Sequence, residues 1–363
     1  MENSQSINLW ELYHLVSHFG RDSLQRPDAL SFGVIFQWAY SFLETMAVTT
    51  EPQITDAVLM IRPARFGMNA ETAASNTFQR TNIEINDPQP LALQEFDVLV
   101  MALRKMGVTV EVFEDTAEPW TPDAIFPGNW VSFHSDGSVY LYPMRAQNRR
   151  WERRPDIIEA LHKQRGYQVA HIEDLSGAEL EGRFLEGTGS LVLDRPHRVA
   201  YACLSPRTDI KLLREWATKL EYELIAFHAN DSSGKPIYHT DVMMSIGDRF
   251  AIFCVASIEK VSERRRIQQR LEQTGHEIIP ITGQQMAEFA GNVLQLGTRY
   301  GGSVLAMSMR AEHCLTPTQR SIIKKYTRIV SSPVNTIENC AGGSVRCMLA
   351  EIFLPRTDAK AKA

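Results

Sequence analysis

Hydrophobic and polar positions along the chain predict a recurring order of elements: two antiparallel strands, a helix and a further strand. The clearest example pairs Asn129–His134 with Ser138–Tyr142 across Ser135-Asp136-Gly137, a polar turn with glycine that is typical of a hairpin. A helix over Asp156–Gln164 and a strand over Tyr167–Ile172 follow. The pattern therefore predicts a ββαβ unit.

Further units of the same order follow along the chain. The second unit is predicted as strands Ser190–Leu193 and Arg198–Cys203, helix Asp209–Leu220 and strand Glu223–Phe227. The third is predicted as strands Val242–Ile246 and Arg249–Ala256, helix Ile258–Thr274 and strand Glu277–Ile281. The fourth is predicted as strands Asn292–Leu296 and Ser303–Ser308, helix Pro317–Tyr326 and strand Arg328–Val330. A fifth unit would combine Val345–Phe353 with the strand Ala57–Arg62 and the helix Leu91–Met106. The two ends of this region would then meet in one sheet.

The even spacing of these units bears on the fold class. Their first strands begin near residues 129, 190, 242, 292 and 345, a period of roughly fifty residues that is typical of repeated supersecondary units. Such units cannot bury a hydrophobic face alone and must pack against neighbours. We therefore predict an α/β fold, a closed five-fold pseudosymmetric α/β-propeller. Two ordinary α/β sandwiches are the alternative, which the even spacing disfavours.

The N-terminal region lies outside this pattern. Ile7–Gly20 and Pro27–Glu44 are predicted as amphipathic helices, or as a segment absent from the natural protein, because Met46 opens a sequence suited to a strand-first domain. No positively charged n-region of a signal peptide opens the chain. We predict an N-terminal extension or misassigned start over residues 1–51, the propeller over residues 52–356 and a disordered tail over residues 357–363.

Composition narrows the class of protein. Hydrophobic residues make up 44% of the 363 positions and charged residues 22%, as in ordinary soluble domains. A formal net charge of −5 argues against binding to nucleic acid or to a membrane surface. The five cysteines form no CxxC pair and no metal-binding spacing with histidine. We therefore expect a cytoplasmic protein in a reducing compartment.

Cys347 is the candidate nucleophile. It follows Gly342-Gly343, where the backbone can turn sharply, and precedes an apolar, β-prone run, so it should lie where a loop enters a buried strand. Arg346 would favour the reactive thiolate if its guanidinium lies close. A lone cysteine is more often a core residue. A catalytic role therefore requires partners.

The partners are predicted from equivalent positions in the units. Asp123, Glu186 and the pair His239 and Asp241 each come just before the first strand of a unit, and Cys347 has the matching place in the last. Each alone has a structural explanation, such as a turn cap, a solvated loop carboxylate or a core histidine. In a ring, however, equivalent ends converge on one axis. We therefore expect these side chains to share one pocket.

Four segments in a fixed order also resemble the guanidino-group-modifying superfamily, which includes arginine deiminases, dimethylarginine dimethylaminohydrolases and amidinotransferases. They are Pro122–Phe126, Glu186–Ser190, His239–Asp241 and Gly342–Met348, within a resemblance that runs from about Asp56 to Pro355. Arg62–Ala73 and Leu141–Arg154 look closest to the citrulline-utilisation hydrolase branch. The resemblance implies a five-fold α/β-propeller and a hydrolase that needs no cofactor and no metal.

The resemblance also implies the roles of the candidate residues. Cys347 would be the nucleophile, His239 the acid/base and Glu186 the group that orients substrate and histidine. Asp241 would hold the nitrogens of a planar head group, and Asp123 would line the same site. These residue types suit attack of a thiolate on an sp² carbon, with a histidine that protonates the departing amine.

One departure from the superfamily bears on the substrate. Where dimethylarginine hydrolases have an aspartate facing the cationic guanidinium, this chain has Asn129. Compared with a carboxylate, the amide of asparagine cannot make a charge-assisted hydrogen bond to a guanidinium, but it can donate a hydrogen bond to a carbonyl oxygen. We therefore expect hydrolysis of citrulline, or of another ureido compound, through an S-carbamoyl intermediate. Hydrolysis of methylated arginine or arginine, amidinotransfer to an amine, and a non-catalytic scaffold stay open as alternatives.

The remaining expectation concerns partners of the protein. The substrate is a small amino acid, and its α-carboxylate suits the forked guanidinium of an arginine. Arg149 and Arg153, within a cluster that also contains Arg150 and Arg154, are the candidates, although a solvated charged loop explains any single member equally well. No nucleic acid or membrane partner is expected, and a homodimer stays open.

Overall fold

The computed structural model describes residues 51–80 and 86–357. The strands are β1 Ala57–Arg62, β2 Thr109–Glu114, β3 Val131–Phe133, β4 Ser138–Leu141, β5 His171–Asp174, β6 Val192–Asp194, β7 Val199–Cys203, β8 Glu223–Phe227, β9 Met244–Ile246, β10 Phe250–Phe253, β11 Glu277–Pro280, β12 Leu294–Gly297, β13 Ser303–Ser308, β14 Arg328–Ser332 and β15 Ala350–Glu351. The α-helices are α1 Ala70–Ala73, α2 Gln89–Lys105, α3 Pro155–Gln164, α4 Gly187–Ser190, α5 Ile210–Lys219, α6 Val261–Gln273, α7 Gly283–Ala287, α8 Met309–Cys314, α9 Pro317–Tyr326 and α10 Asn335–Ala341.

The described strands form five three-stranded sheets of one design. The orders are β15-β1-β2, β3-β4-β5, β6-β7-β8, β9-β10-β11 and β12-β13-β14. In every sheet the middle strand pairs antiparallel with the first strand named and parallel with the last. The architecture is therefore mixed α/β. The first sheet joins both ends of the region, since Val58 of β1 pairs with Glu351 of β15.

A helix connects the two parallel strands of each sheet, and its sequence explains where it begins. In α5, the Asp209 carboxylate accepts hydrogen bonds from the backbone N–H groups of Lys211 and Leu212, at 3.0 and 2.9 Å. The apolar face of α5 is buried, through Leu212, Leu213, Trp216 and Ala217. Helices α2, α3, α6 and α9 have the corresponding place in the other sheets.

The hydrophobic core lies between successive sheets. One cluster joins β1 to β12 and β13 through Met60, Leu296 and Val304, and another joins β1 to β3 through Leu59 and Phe133. Two more clusters continue between neighbouring sheets, one containing Tyr140, Leu193 and Ala202 and the other Tyr201, Phe250 and Met307. Each sheet thus buries its two faces against neighbours, as repeated units must.

Two predicted strands differ from the structure. The predicted strand Val345–Phe353 is wrong over most of its length, because residues 345–348 form turns in which the Leu349 N–H donates to the Arg346 carbonyl oxygen at 3.0 Å. The predicted strand Tyr167–Ile172 begins only at His171, because Gln168 N–H donates to the Pro355 carbonyl oxygen at 2.7 Å instead of joining the sheet.

Other features of the described residues go beyond the sequence prediction. Strand β2 and the short helices α1, α4, α7, α8 and α10 were not predicted. The predicted N-terminal helices Ile7–Gly20 and Pro27–Glu44 lie outside the described residues, as do residues 358–363 of the predicted tail. Within residues 51–80 and 86–357, no helix combines the length and apolar character needed to cross a membrane.

Candidate active site

Polar side chains occupy the loops that enter the antiparallel edge strand of all five sheets. They are Asp123 and Asn129 before β3, Glu186 before β6, His239 and Asp241 before β9, Asn292 before β12, and Cys347 before β15. All are buried. Several meet at one small cavity, which is lined by Asn76, Asp123, Phe126, Asn129, Arg149, Arg207, Tyr238, His239, Ala341, Gly343 and Cys347.

A glycine allows two of these loops to approach closely. A Cβ atom added at Gly189 of α4 would lie 2.5 Å from Asn129 Nδ2 and 2.7 Å from His239 Nδ1. Any larger residue would push these two nitrogens away from their places. This close packing, rather than a phosphate-binding loop, therefore explains the glycine at position 189.

Cys347 lies between an acidic and an amide side chain. Its Sγ is 3.3 Å from Asp241 Oδ2 and 3.2 Å from Asn292 Nδ2. Burial raises the pKa of the Cys347 thiol, and the neighbouring Asp241 carboxylate raises it further. The resting group is therefore a thiol that donates to Asp241. The Arg346 guanidinium lies near the same carboxyl group, with Nε 3.9 Å from Asp241 Oδ2, and the pKa of the thiol is raised in its presence.

His239 is oriented by Glu186. The His239 Nε2 atom is 2.8 Å from Glu186 Oε2, and the Arg145 backbone N–H donates to Oε1 at 3.0 Å. Although burial acts to raise it, the charges of Arg207 and His239 hold the pKa of Glu186 well below its usual range. An ionised carboxylate only accepts, so Nε2 carries a proton and Nδ1 lies over Gly189.

Two carboxyl groups of the site each keep an oxygen without a partner. Asp123 Oδ2 accepts from Asn69 Nδ2 at 2.7 Å, whereas Asp123 Oδ1 and Asp241 Oδ1 are buried and accept no hydrogen bond from the described residues. Burial raises the pKa of both carboxyl groups. Buried polar atoms are normally satisfied. These two oxygens are therefore suited to accept N–H groups of a substrate.

Asn129 is held by a buried ion pair. Arg149 Nη1 donates to Asn129 Oδ1 at 3.0 Å, while Arg149 Nε and Nη2 each donate to Glu152 at 2.9 Å. A guanidinium only donates, so it fixes Oδ1 on its own side. The Nδ2 group of Asn129 therefore faces Gly189. Arg149 lines the cavity, and each of its three nitrogens already donates one hydrogen bond to Asn129 or Glu152.

The structure does not bring Arg153 to the cavity. Its Nη1 donates to Glu179 at 2.6 Å and to the Tyr142 carbonyl oxygen at 3.1 Å, and it is not among the lining residues. Arg150 and Arg154 likewise bind other groups, with Arg150 donating to the Met144 carbonyl oxygen and Arg154 to Asp156. Of the predicted arginine cluster, only Arg149 lines the cavity.

Sequence reasoning missed several residues of this region, and two of them bear on its chemistry. Arg207 lines the cavity, donates to Glu186 Oε2 at 3.3 Å and stacks over the Tyr238 ring, with its guanidinium carbon 4.8 Å from the centroid. It follows β7, where the repeat pattern marks no position. Asn292, which the pattern placed at the start of a strand, lies in the loop before β12, a position equivalent to that of Cys347 before β15.

Comparison with known proteins decides the family. A model of the family described as N,N dimethylarginine dimethylhydrolase, eukaryotic, matches residues 62–354. The chain belongs to this family. The family is described as one of hydrolases, and the resemblance to the guanidino-group-modifying superfamily is confirmed. No curated protein matches.

Solved structures share the fold at low sequence identity. The apo structure of ArgZ, an arginine dihydrolase from the ornithine–ammonia cycle in cyanobacteria, is 16% identical, with a TM-score of 0.65 over 83% of this chain and 41% of that chain. A cysteine-to-alanine variant of AgrE in complex with L-arginine is 17% identical, with a TM-score of 0.65 over 84% and 41%. This chain thus spans less than half the length of either protein.

A third structure matches over its whole length. A cysteine-to-serine variant of the dimethylarginine dimethylaminohydrolase from Pseudomonas aeruginosa, in complex with citrulline, is 15% identical, with a TM-score of 0.57 over 83% of this chain and 100% of that chain. At these identities the comparisons establish the fold. The substrate has to be argued from the site of this chain.

Proposed function

We propose that the chain is a cysteine hydrolase that converts citrulline to ornithine, carbon dioxide and ammonia. The observation that carries this proposal is the pattern of donors and acceptors beside Cys347. Asp123 and Asp241 offer unpaired carboxyl oxygens, and Asn129 offers an N–H₂ donor fixed by Arg149. A ureido group has N–H donors and one carbonyl acceptor, whereas a guanidinium has donors alone.

The charges of the site support an uncharged head group. Each guanidinium that lines the cavity already contacts a carboxylate, with Arg149 on Glu152 and Arg207 on Glu186. Burial raises the pKa of the carboxyl groups of Asp123 and Asp241, because the buried charged form loses its solvation by water. A neutral ureido group can bind to these two residues through hydrogen bonds alone, without an opposite charge.

The proposed reaction assigns each proton. Sγ of Cys347 attacks the ureido carbon, and the thiol proton passes to Asp241, which lies 3.3 Å away. The bond from this carbon to the ornithine nitrogen breaks, and protonated His239 gives its proton to the departing amine. The product is S-carbamoyl-Cys347. His239 then takes a proton from water as the water oxygen attacks the carbamoyl carbon. The bond from this carbon to Sγ breaks, Asp241 returns its proton to Sγ, and the released carbamic acid decomposes to carbon dioxide and ammonia.

Arg207 is the proposed ligand of the substrate α-carboxylate. Its Nη2 donates to the Ser75 hydroxyl at 2.7 Å and to the Thr72 carbonyl oxygen at 3.3 Å. These neutral partners can be exchanged for a carboxylate, which makes a stronger, charge-assisted hydrogen bond. The donors of Arg149 are instead engaged by Glu152 and Asn129. Arg149 therefore contributes by orienting Asn129.

The proposal includes closure of the five sheets into an α/β-propeller. Hydrophobic clusters join successive sheets, and the first sheet contains strands from both ends of the region. A closed ring is the arrangement that brings five equivalent loops to one cavity. It makes the site a product of the whole chain from β1 to β15.

Hydrolysis of N-methylated arginines is the second candidate, favoured by the family match over residues 62–354. Product analysis with citrulline, arginine and asymmetric dimethylarginine separates the two, with Cys347→Ser as the control. Ornithine and ammonia from citrulline in equal amounts support the first proposal. Dimethylamine from the methylated substrate supports the second. If none of the three substrates gives a product, both proposals are contradicted and the non-catalytic scaffold is the alternative that remains.

A further inference from the structure

Asn292 contacts the candidate nucleophile through both of its amide atoms. Asn292 Nδ2 donates to Sγ of Cys347 at 3.2 Å and to the Asp241 carbonyl oxygen at 3.2 Å. Asn292 Oδ1 accepts from the Cys347 backbone N–H at 3.4 Å. The side chain is fully buried. One amide therefore joins the backbone of the β9 loop, the backbone of the β15 loop and the sulfur atom.

Two backbone groups determine which way this amide faces. The Cys347 N–H only donates, so it requires Oδ1 of Asn292, and the Asp241 carbonyl oxygen only accepts, so it requires Nδ2. The second proton of Nδ2 is then left for Sγ. An amide turned the other way would place like groups against each other at both backbone contacts. The donor to sulfur is therefore fixed by the fold.

The neighbouring glycine explains how Asn292 reaches this place. A Cβ atom added at Gly291 would lie 2.5 Å from the Val242 carbonyl oxygen and 2.9 Å from the Met243 carbonyl carbon. The loop before β12 therefore packs directly on the backbone that follows Asp241. This contact places the Asn292 backbone beside the segment that carries Asp241.

We propose that Asn292 is a positioning residue that holds Sγ of Cys347 in place and stabilises its thiolate. The proposal rests on the proposed function only in taking Cys347 as the nucleophile. Among the described side chains, Asn292 is the one that donates a hydrogen bond to Sγ. The titratable and charged groups of the described residues that contact this sulfur's surroundings or line the cavity with it are Asp241, Arg346, Tyr238, His239, Asp123, Arg149 and Arg207.

The pH dependence of alkylation tests this role without any substrate. In Asn292→Asp, a carboxylate replaces the donor with nearly the same shape, so a thiolate beside it loses its hydrogen bond and meets a like charge. The rate at which iodoacetamide modifies Cys347 at pH 8, followed by peptide mass spectrometry, should fall about tenfold or more, which corresponds to a pKa rise of about one unit. The matched control is Asn335→Asp, the same change at an exposed position that opens α10.

Each outcome decides for or against Asn292. Unchanged alkylation of Asn292→Asp at all pH values overturns the proposal, and so does an equal loss in Asn335→Asp. If Asn292→Asp fails to fold, Asn292→Ala replaces it, since alanine removes the donor without adding a charge. Cys347 in that variant should again react more slowly, and a wild-type or faster rate overturns the proposal. Failure to hydrolyse citrulline would contradict the proposed function but leave this result intact.

Discussion

Glu186 Oε2 lies 2.8 Å from His239 Nε2, and this contact determines which nitrogen of the imidazole remains for chemistry. Because the carboxylate is ionised, the proton stays on Nε2 and Nδ1 lies over Gly189, beside Asn129. Proton transfer by a correctly positioned general acid or base accelerates a reaction about 10²- to 10⁴-fold. The pair is the reason that we expect Glu186 to be needed, although it does not line the cavity.

The first prediction tests this pair. Glu186→Gln keeps the shape of the side chain but removes the charge that fixes the histidine proton. We expect kcat to fall about 100-fold or more, with KM changed less. Steady-state kinetics on citrulline measure this, and Glu181→Gln, at an exposed position, is the control. Full activity of Glu186→Gln would exclude the assigned role.

The second prediction concerns the close packing at Gly189. A methyl group in Gly189→Ala would displace Asn129 Nδ2 and His239 Nδ1, which lie 2.5 and 2.7 Å from the added carbon. A displacement of about 1 Å at a reacting group costs about 100-fold in rate, so kcat/KM should fall by that order. Gly177→Ala is the matched control, since no heavy atom lies within 4 Å of its added carbon. Equal kinetics of the two variants would contradict the packing argument.

The third prediction concerns the choice of substrate. Asn129→Asp removes the donor for a ureido oxygen and places a carboxylate against the Arg149 guanidinium. Loss of one such hydrogen bond costs about 0.5–1.5 kcal/mol, more where a buried group is left unpaired. We expect turnover of citrulline to fall about tenfold, and turnover of guanidino substrates to fall less. A larger loss on guanidino substrates would argue against the ureido assignment.

The fourth prediction locates the carboxylate ligand. Arg207→Gln removes a charge-assisted hydrogen bond worth about 1.5–3 kcal/mol, so KM for citrulline should rise about 10- to 100-fold. Decarboxylated citrulline, which lacks the group that Arg207 is proposed to bind, should be affected much less. The control is Arg153→Gln, because Arg153 pairs with Glu179 away from the cavity. If Arg153→Gln raises KM and Arg207→Gln does not, the assignment is wrong.

Much of the fold could be predicted because each unit carries local signals. Strand β13 and helix α9 begin and end where the pattern places them. In α9 the reason is visible, since Thr316 caps the helix, Pro317 opens it and the Gln319 side chain completes a capping box. The strand predicted over Val345–Phe353 was wrong because an apolar run indicates burial but not backbone conformation.

The site was predicted where it follows the repeat and missed where it depends on packing between distant segments. Cys347, His239 and Glu186 share one place in their units, so the spacing indicates them together. Arg207 gains its position from Ser75 and the Thr72 backbone, more than 130 residues away. No local pattern encodes such a contact.

The account as a whole depends on a covalent adduct at one sulfur atom. The most direct measurement is acid quenching of the protein during turnover of citrulline labelled at the ureido carbon, followed by peptide mass spectrometry. The account predicts the label on Cys347 as a carbamoyl group without the ornithine portion, together with free ornithine, and neither in Cys347→Ser. Ornithine formed by Cys347→Ser, or a labelled adduct on Cys347 that retains ornithine, would contradict it.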